Sequence, residues 1–225
     1  MITLPARIRS SNLAYELLEN DFSQRKRELI NLRSELNSKR RTIVLVKSSV
    51  LLAYAHVEGA VKSALRVFLT RLNGHGLTWG AVKPRLAHLE IDHRLARQVN
   101  SQFRRSVVCD DDTTAFLRTL PNEPIKVDIS ELVDQIGVIN ANTLRKILSI
   151  CGFNLSPYEE NLGLLDERLV AWRHELAHGS LVPIELVTAE TSVEIAIFLI
   201  DSMLADFGNL LVSQSYISNS EDNPR

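Results

Sequence analysis

The residues best able to do chemistry lie in one run, Ala171-Trp172-Arg173-His174-Glu175-Leu176-Ala177-His178-Gly179. His174, Glu175 and His178 spell HExxH. On a helix, residues four apart share a face, so both imidazoles would reach one zinc ion, with Glu175 as general base. A hydrolytic zinc site also needs a third protein ligand. Glu185, Glu190 and Glu194 follow downstream, and Glu190 or Glu194 is the best placed. No strand is evident to align a substrate beside such a helix, and the helix is expected to stop at His178. The same residues also have a plain structural reading. An Arg and a His in a last helical turn cap carbonyls and oppose the helix dipole.

The elements that must hold this run read as helices. Ser10 to Ser38 predicts one long helix, with Leu13, Leu17, Leu29, Leu32 and Leu36 at helical spacing and a fully polar middle at Gln24–Glu28. Thr42 to Leu72 is apolar on most of its surface, as a central core helix is, and Asn73-Gly74-His75-Gly76 ends it. Residues 77–128 are harder to read. A helix over 86–103 carrying Arg94, Arg97, Arg104 and Arg105 is expected there, then an Asp110-Asp111-Asp112 loop and a short helix to Leu120. Short helices over 129–136 and 142–151 follow, the second N-capped by Asn142. One helix is expected from Pro157 to His178, with Leu162, Leu165, Leu169, Trp172 and Leu176 as its apolar stripe and Gly179 just past its end. A last helix spans 188–213, and the polar tail 218–225 is expected to be disordered. The fold class is all-α. We expect a single helical domain over 1–217, with 77–128 as a candidate inserted subdomain.

Composition agrees. The chain has 225 residues, 45% hydrophobic and 24% charged, with 9 Gly and 7 Pro. It is long enough to bury a core without staples and too apolar for disorder. The formal net charge of −1 lacks the overall basicity of most nucleic-acid binders, but leaves room for a local basic groove. Arg25-Lys26-Arg27, Lys39-Arg40-Arg41 and Arg104-Arg105 are short clusters able to meet phosphates or simply to stay solvated. Cys109 and Cys151 form no CxxC. No signal peptide is visible, and no apolar run approaches the ~18 residues of a membrane span. A cytoplasmic protein with no membrane partner is expected. His56 and Tyr54 read as core residues, and so does Trp172, although an aromatic exposed beside Arg173 would stack a base.

The run also contains Arg173, then a polar residue at 174, then His178 and Gly179, and in this it resembles the HEPN superfamily (higher eukaryotes and prokaryotes nucleotide-binding). Leu51–Leu69 (LLAYAHVEGAVKSALRVFL) is similar to the first core helix of that family, with Glu58 in an apolar setting. Asn140–Phe153 and Leu165–Val170 leading into the motif are similar to its MAE-type branch, related to RiboL-PSP-HEPN proteins. The resemblance covers roughly residues 40–210. His174 followed by Glu175 departs from the Asn and small residue that many members carry.

The resemblance implies an all-α HEPN-like bundle with inserted helices. It also implies metal-independent endoribonuclease activity in a toxin–antitoxin or phage-defence setting, with no cofactor. Arg173 and His178 would be catalytic, assisted by His174 and supported by Glu58 and Glu175. RNA supplies its own nucleophile, the 2′-OH. An imidazole takes that proton, and a guanidinium offsets the charge gathering on the phosphoryl oxygens. Arg173 and His178 lie about 140° apart around a helix at ~100° per residue, whereas His174 and His178 share a face. The family typically dimerises with its motifs facing across a cleft, so a homodimer is expected, along with an antitoxin or other protein partner. Glu58 needs a partner of its own, either Arg173 or another Arg. Two alternatives stand beside this reading: an inactive HEPN module that binds RNA, a nucleotide or a protein, and the HExxH zinc hydrolase.

Overall fold

The computed structural model describes residues 4–91, 115, 117–179 and 183–218. Three long helices form its centre: α1 (Ser11–Leu36), α2 (Ile43–His75) and the last helix, α7 (Leu186–Ser213). Ser10 and Thr42 cap the first two, their hydroxyls accepting the N–H of Leu13 and of Leu45. α2 ends on Gly76 at φ +74°, a left-handed residue that glycine adopts without strain. A six-residue link turns α1 back on α2. Tyr15 packs on Gly208, Lys26 donates to Asp201 at 2.7 Å, and Phe68 meets Phe207. α7 therefore runs antiparallel to α1 and in the same sense as α2. A Cβ at Gly208 would lie 2.8 Å from the Tyr15 ring, so glycine sets how closely these helices approach.

The buried stripe of α1 is Ala14, Leu18, Phe22, Leu29 and Leu36; of the expected leucines, Leu29 and Leu36 are in it, Leu17 and Leu32 pack half-buried beside it, and Leu13 is exposed. Its polar middle still packs on the bundle. Arg25 reaches Asp21 within the helix, and Lys26 reaches α7. α2 and α7 are each long and apolar enough to cross a membrane, contrary to the sequence expectation. Both are the central helices of the bundle. Their apolar residues, Val57, Val61, Leu65, Phe68 and Leu69 on one and Val193, Ala196, Ile200, Met203 and Phe207 on the other, fill its core. Burying each large side chain contributes about 1.5–3 kcal/mol.

Shorter elements close the ends. Residues 84–91 are helical, and a 3₁₀ turn spans Leu120–Asn122. α3 (Ile129–Asp134) starts on Asp128. α4 (Ala141–Cys151) is capped by Asn140, not by Asn142 as expected, because the Asn140 side chain accepts from the N–H of Thr143 at 2.8 Å. No strand forms among the described residues, and the protein is all-α. Most of the expected 86–103 helix with its arginines, Cys109, the Asp110–Asp112 loop and nearly all of the tail lie outside the described residues. Cys151 is buried, and burial pushes its thiol up to about 12.

The expected helix from Pro157 to His178 is three segments: α5 (Glu159–Leu164), a π-helical stretch (Leu165–Val170) and α6 (Ala171–Ala177). Each π turn holds an extra residue, which rotates the residues after it by ~100° relative to an uninterrupted helix. Two contacts hold the stretch in place. Asp166 accepts the Ala141 N–H at 2.7 Å, fastening it to the first turn of α4. The Ser192 hydroxyl of α7 lies 3.1 Å from the Arg168 carbonyl and 2.7 Å from that of Thr188. Leu165 and Leu169 are fully buried, and Trp172 and Leu176 are half-buried beyond them.

Two half-buried histidines of α2 make the stability pH-dependent. Burial lowers both His56, which lies 3.4 Å from Glu28, and His75, whose Nδ1 lies 3.2 Å from the Tyr216 hydroxyl. Arg71 lowers His75 further. An unfolded histidine takes its proton near pH 6.5, and these folded ones resist it below that. The stabilisation is therefore present above about pH 6.5 and is lost as pH falls towards the folded values. Urea midpoints should fall from pH 7.5 to 5.5, and His56→Gln with His75→Gln should flatten that fall; an unchanged slope contradicts the assignment.

Candidate active site

α6 is seven residues long and splits its functional side chains between two directions. Arg173 turns inward, half-buried, with Cζ 5.2 Å from the centre of the Tyr54 ring on α2. That is cation–π distance, and the ring is only 3% exposed, so the attraction is poorly screened. Tyr54 is held in turn by its hydroxyl, which accepts the Ile139 N–H at 3.0 Å in the link before α4. Burial, first, raises its phenol, Glu58 adds to this, and the Ile139 bond and Arg173 oppose it. Tyr54 thus joins α2, α6 and the start of α4 at one point.

His174 and His178 turn outward. Both are exposed, and their ring centres lie 4.4 Å apart, edge to face. The expected shared face is therefore present. His178 is the C-cap residue, already out of helical geometry at φ −91° and ψ 10°. Its N–H still reaches the His174 carbonyl at 3.2 Å. Gly179 follows at φ +75°, donating to the Leu176 carbonyl at 3.1 Å. The helix stops where the glycine predicts, leaving the second imidazole at an open end.

Glu58 does not hold Arg173. Its carboxylate accepts from Lys62 at 2.6 Å, one turn along the same face of α2. The i,i+4 spacing makes that pair local, and Arg173 meets the ring of Tyr54, one turn earlier on α2. Among the described residues neither Arg173 nor another Arg is its ion-pair partner. Glu175 is exposed. The HExxH reading gains no third ligand: among the described residues no three His, Cys, Asp or Glu side chains gather as a metal site requires, and neither Glu190 nor Glu194 joins the two histidines. Tyr54 is the site residue that the sequence did not single out for this role. Its one signal was its position a turn before Glu58 on the core helix.

The arrangement thus pairs a cation fixed against an aromatic face with two solvent-facing imidazoles on the same short helix. That combination suits an anionic, phosphate-bearing ligand, with proton transfer at its exposed side. The family model described as RiboL-PSP-HEPN matches residues 20–209, most of the chain. The protein belongs to the RiboL-PSP-HEPN family of the HEPN superfamily and is an RNA-related or nuclease-like HEPN module. No curated protein and no solved structure matches it.

Removing the Tyr54 hydroxyl should expose the link it makes. Tyr54→Phe keeps the ring under Arg173 but leaves the Ile139 N–H without its acceptor, at a cost of about 1–3 kcal/mol. Urea denaturation should show that loss, and an unchanged midpoint would mean the bond adds nothing.

Proposed function

We propose that this protein is a metal-independent endoribonuclease of HEPN type, with Arg173 and His178 as catalytic residues and His174 assisting. The observation that carries the reading is the pairing of Arg173, fixed on Tyr54, with the exposed His174–His178 pair at the end of α6. An imidazole takes the 2′-OH proton, and the 2′ oxygen attacks the adjacent phosphorus. The P–O5′ bond breaks, and a second imidazole returns a proton to the leaving oxygen. Arg173 offsets charge on the phosphoryl oxygens. The products are a 2′,3′-cyclic phosphate and a 5′-OH. Glu58 acts indirectly, through its charge beside Tyr54. Glu175 lies next to the pair and has no step of its own. The exposure of His178 supports catalysis over a silent binding module, since a proton-transfer group must reach its substrate.

The working unit we propose is a homodimer with the two motifs facing each other, one His178 serving as base and the other as acid. The exposed Ile43, Val44 and Leu52 on α2, the helix that carries Tyr54, support a partnered surface there. Toxin–antitoxin or phage defence is the setting we propose, with an antitoxin or other protein partner in restraint.

Purified protein should cut a mixed RNA pool in excess EDTA. His178→Ala should lower the rate ~10²–10⁴-fold and Arg173→Ala ~10²–10³-fold, with the circular dichroism unchanged. Cleavage that needs added metal, or that survives His178→Ala, would overturn the mechanism.

A further inference from the structure

α2 continues past Tyr54 into a second polar region. Glu58, Gly59, Lys62, Ser63 and Arg66 fall on one side of the helix and, with Arg25 of α1, line a cleft of about 420 Å³. Three cations and one carboxylate line it, and each cation already has an acidic partner. Arg25 gives Nε and Nη2 to Asp21 at 2.8 and 3.2 Å, while its Nη1 lies over Gly59, where a Cβ would overlap it. Glycine at 59 is what lets the guanidinium reach across to α2. Lys62 donates to Glu58, and Arg66 donates through Nη2 to Asp134, whose side chain is 68% exposed. Each cation keeps further donors. Nη1 of Arg25, the other N–H groups of Arg66 and Lys62, and the Ser63 hydroxyl have no partner among the described residues.

Donors converging on one cleft from three cations, each with N–H groups that its carboxylate leaves unused, suit a phosphate. No aromatic side chain lines it, so it offers no platform on which a base would stack. That favours the sugar–phosphate backbone over a nucleobase. Position points the same way. At 1.5 Å per residue, Lys62 and Arg66 lie ~12 and ~18 Å along α2 from Tyr54. That distance is within reach of a few nucleotides for a strand whose scissile phosphate sits at Arg173. We propose that the Arg25–Lys62–Arg66 cleft is a backbone-phosphate subsite for single-stranded RNA leaving the Arg173 site. The inference rests on the ribonuclease reading for the identity of the strand.

Binding separates the two. In the full-length His178→Ala protein, fluorescence anisotropy with a labelled single-stranded RNA is measured over a range of salt. Adding Lys62→Gln and Arg66→Gln should weaken binding about tenfold for every base sequence tried. It should also make the log K against log salt slope shallower by ~0.7 per lost contact. Arg66→Lys should restore most of the slope, and Arg145→Gln, an exposed control on α4, should leave it unchanged. In the otherwise native enzyme, the double variant should raise KM and keep kcat within about twofold. If the native protein cuts RNA but slope and KM ignore the substitutions, the subsite is wrong and the ribonuclease reading stands. A loss confined to one base sequence, or a cleft that takes free mononucleotides without affecting RNA, also overturns it. No binding and no cleavage by any version overturns both.

Discussion

The site depends on one contact, the Arg173 guanidinium against the Tyr54 ring. A cation on a helix end normally points to water. Here a buried aromatic face draws it inward, and that ring is itself held by the Ile139 N–H. Because α6 is a short helix, fixing one residue fixes the directions of the rest. With Arg173 turned to α2, His174 and His178 are left on the solvent side with their rings 4.4 Å apart. The separation of about 140° around a helix between Arg173 and His178, which looks like an obstacle in sequence, becomes a division of labour. One residue is anchored in the protein, and the other is free to meet a ligand.

The π-helical stretch is what brings this about. Leu165 and Leu169 dock against the bundle, and the extra residue in the turn resets the phase in which Arg173 emerges. A wider turn leaves backbone carbonyls less regularly partnered, and the Ser192 hydroxyl of α7 lies within hydrogen-bond distance of one of them. Asp166 ties the same stretch to α4. The motif helix is thus referenced to three other helices: to α2 through Tyr54, to α4 through Asp166 and to α7 through Ser192.

Much of this was legible from residues alone. Helix starts expected at Ser10 and Thr42, and stops at Gly76 and Gly179, hold because the two hydroxyls cap the first turns and the glycines take the left-handed conformation. The face shared by His174 and His178 follows from their spacing. Other features were not legible, for physical reasons. Leu162, Leu165, Leu169, Trp172 and Leu176 fit steps of three and four, so an inserted residue per turn leaves that pattern intact. Glu58 was expected to meet Arg173 or another Arg, and the i,i+4 lysine on its own helix, Lys62, was passed over although it needs no tertiary contact to reach the carboxylate. The apolar Val44, Ile43 and Leu52 read as core residues in sequence, yet face out, because apolarity alone does not say which side of a helix is covered. The polar middle of α1 interrupts the apolar stripe and gives no packing signal in sequence, but Arg25 lies over Gly59 of α2 and Lys26 pairs with Asp201 of α7.

The most direct measurement compares one RNA with the same RNA bearing a single 2′-deoxy sugar at its cleavage position, in excess EDTA. If Arg173 and His178 act on the 2′-OH, the first is cut to a 2′,3′-cyclic phosphate and a 5′-OH, and the second is left intact at that bond. Equal cutting of both, or cutting only when a divalent metal is restored, would contradict the account.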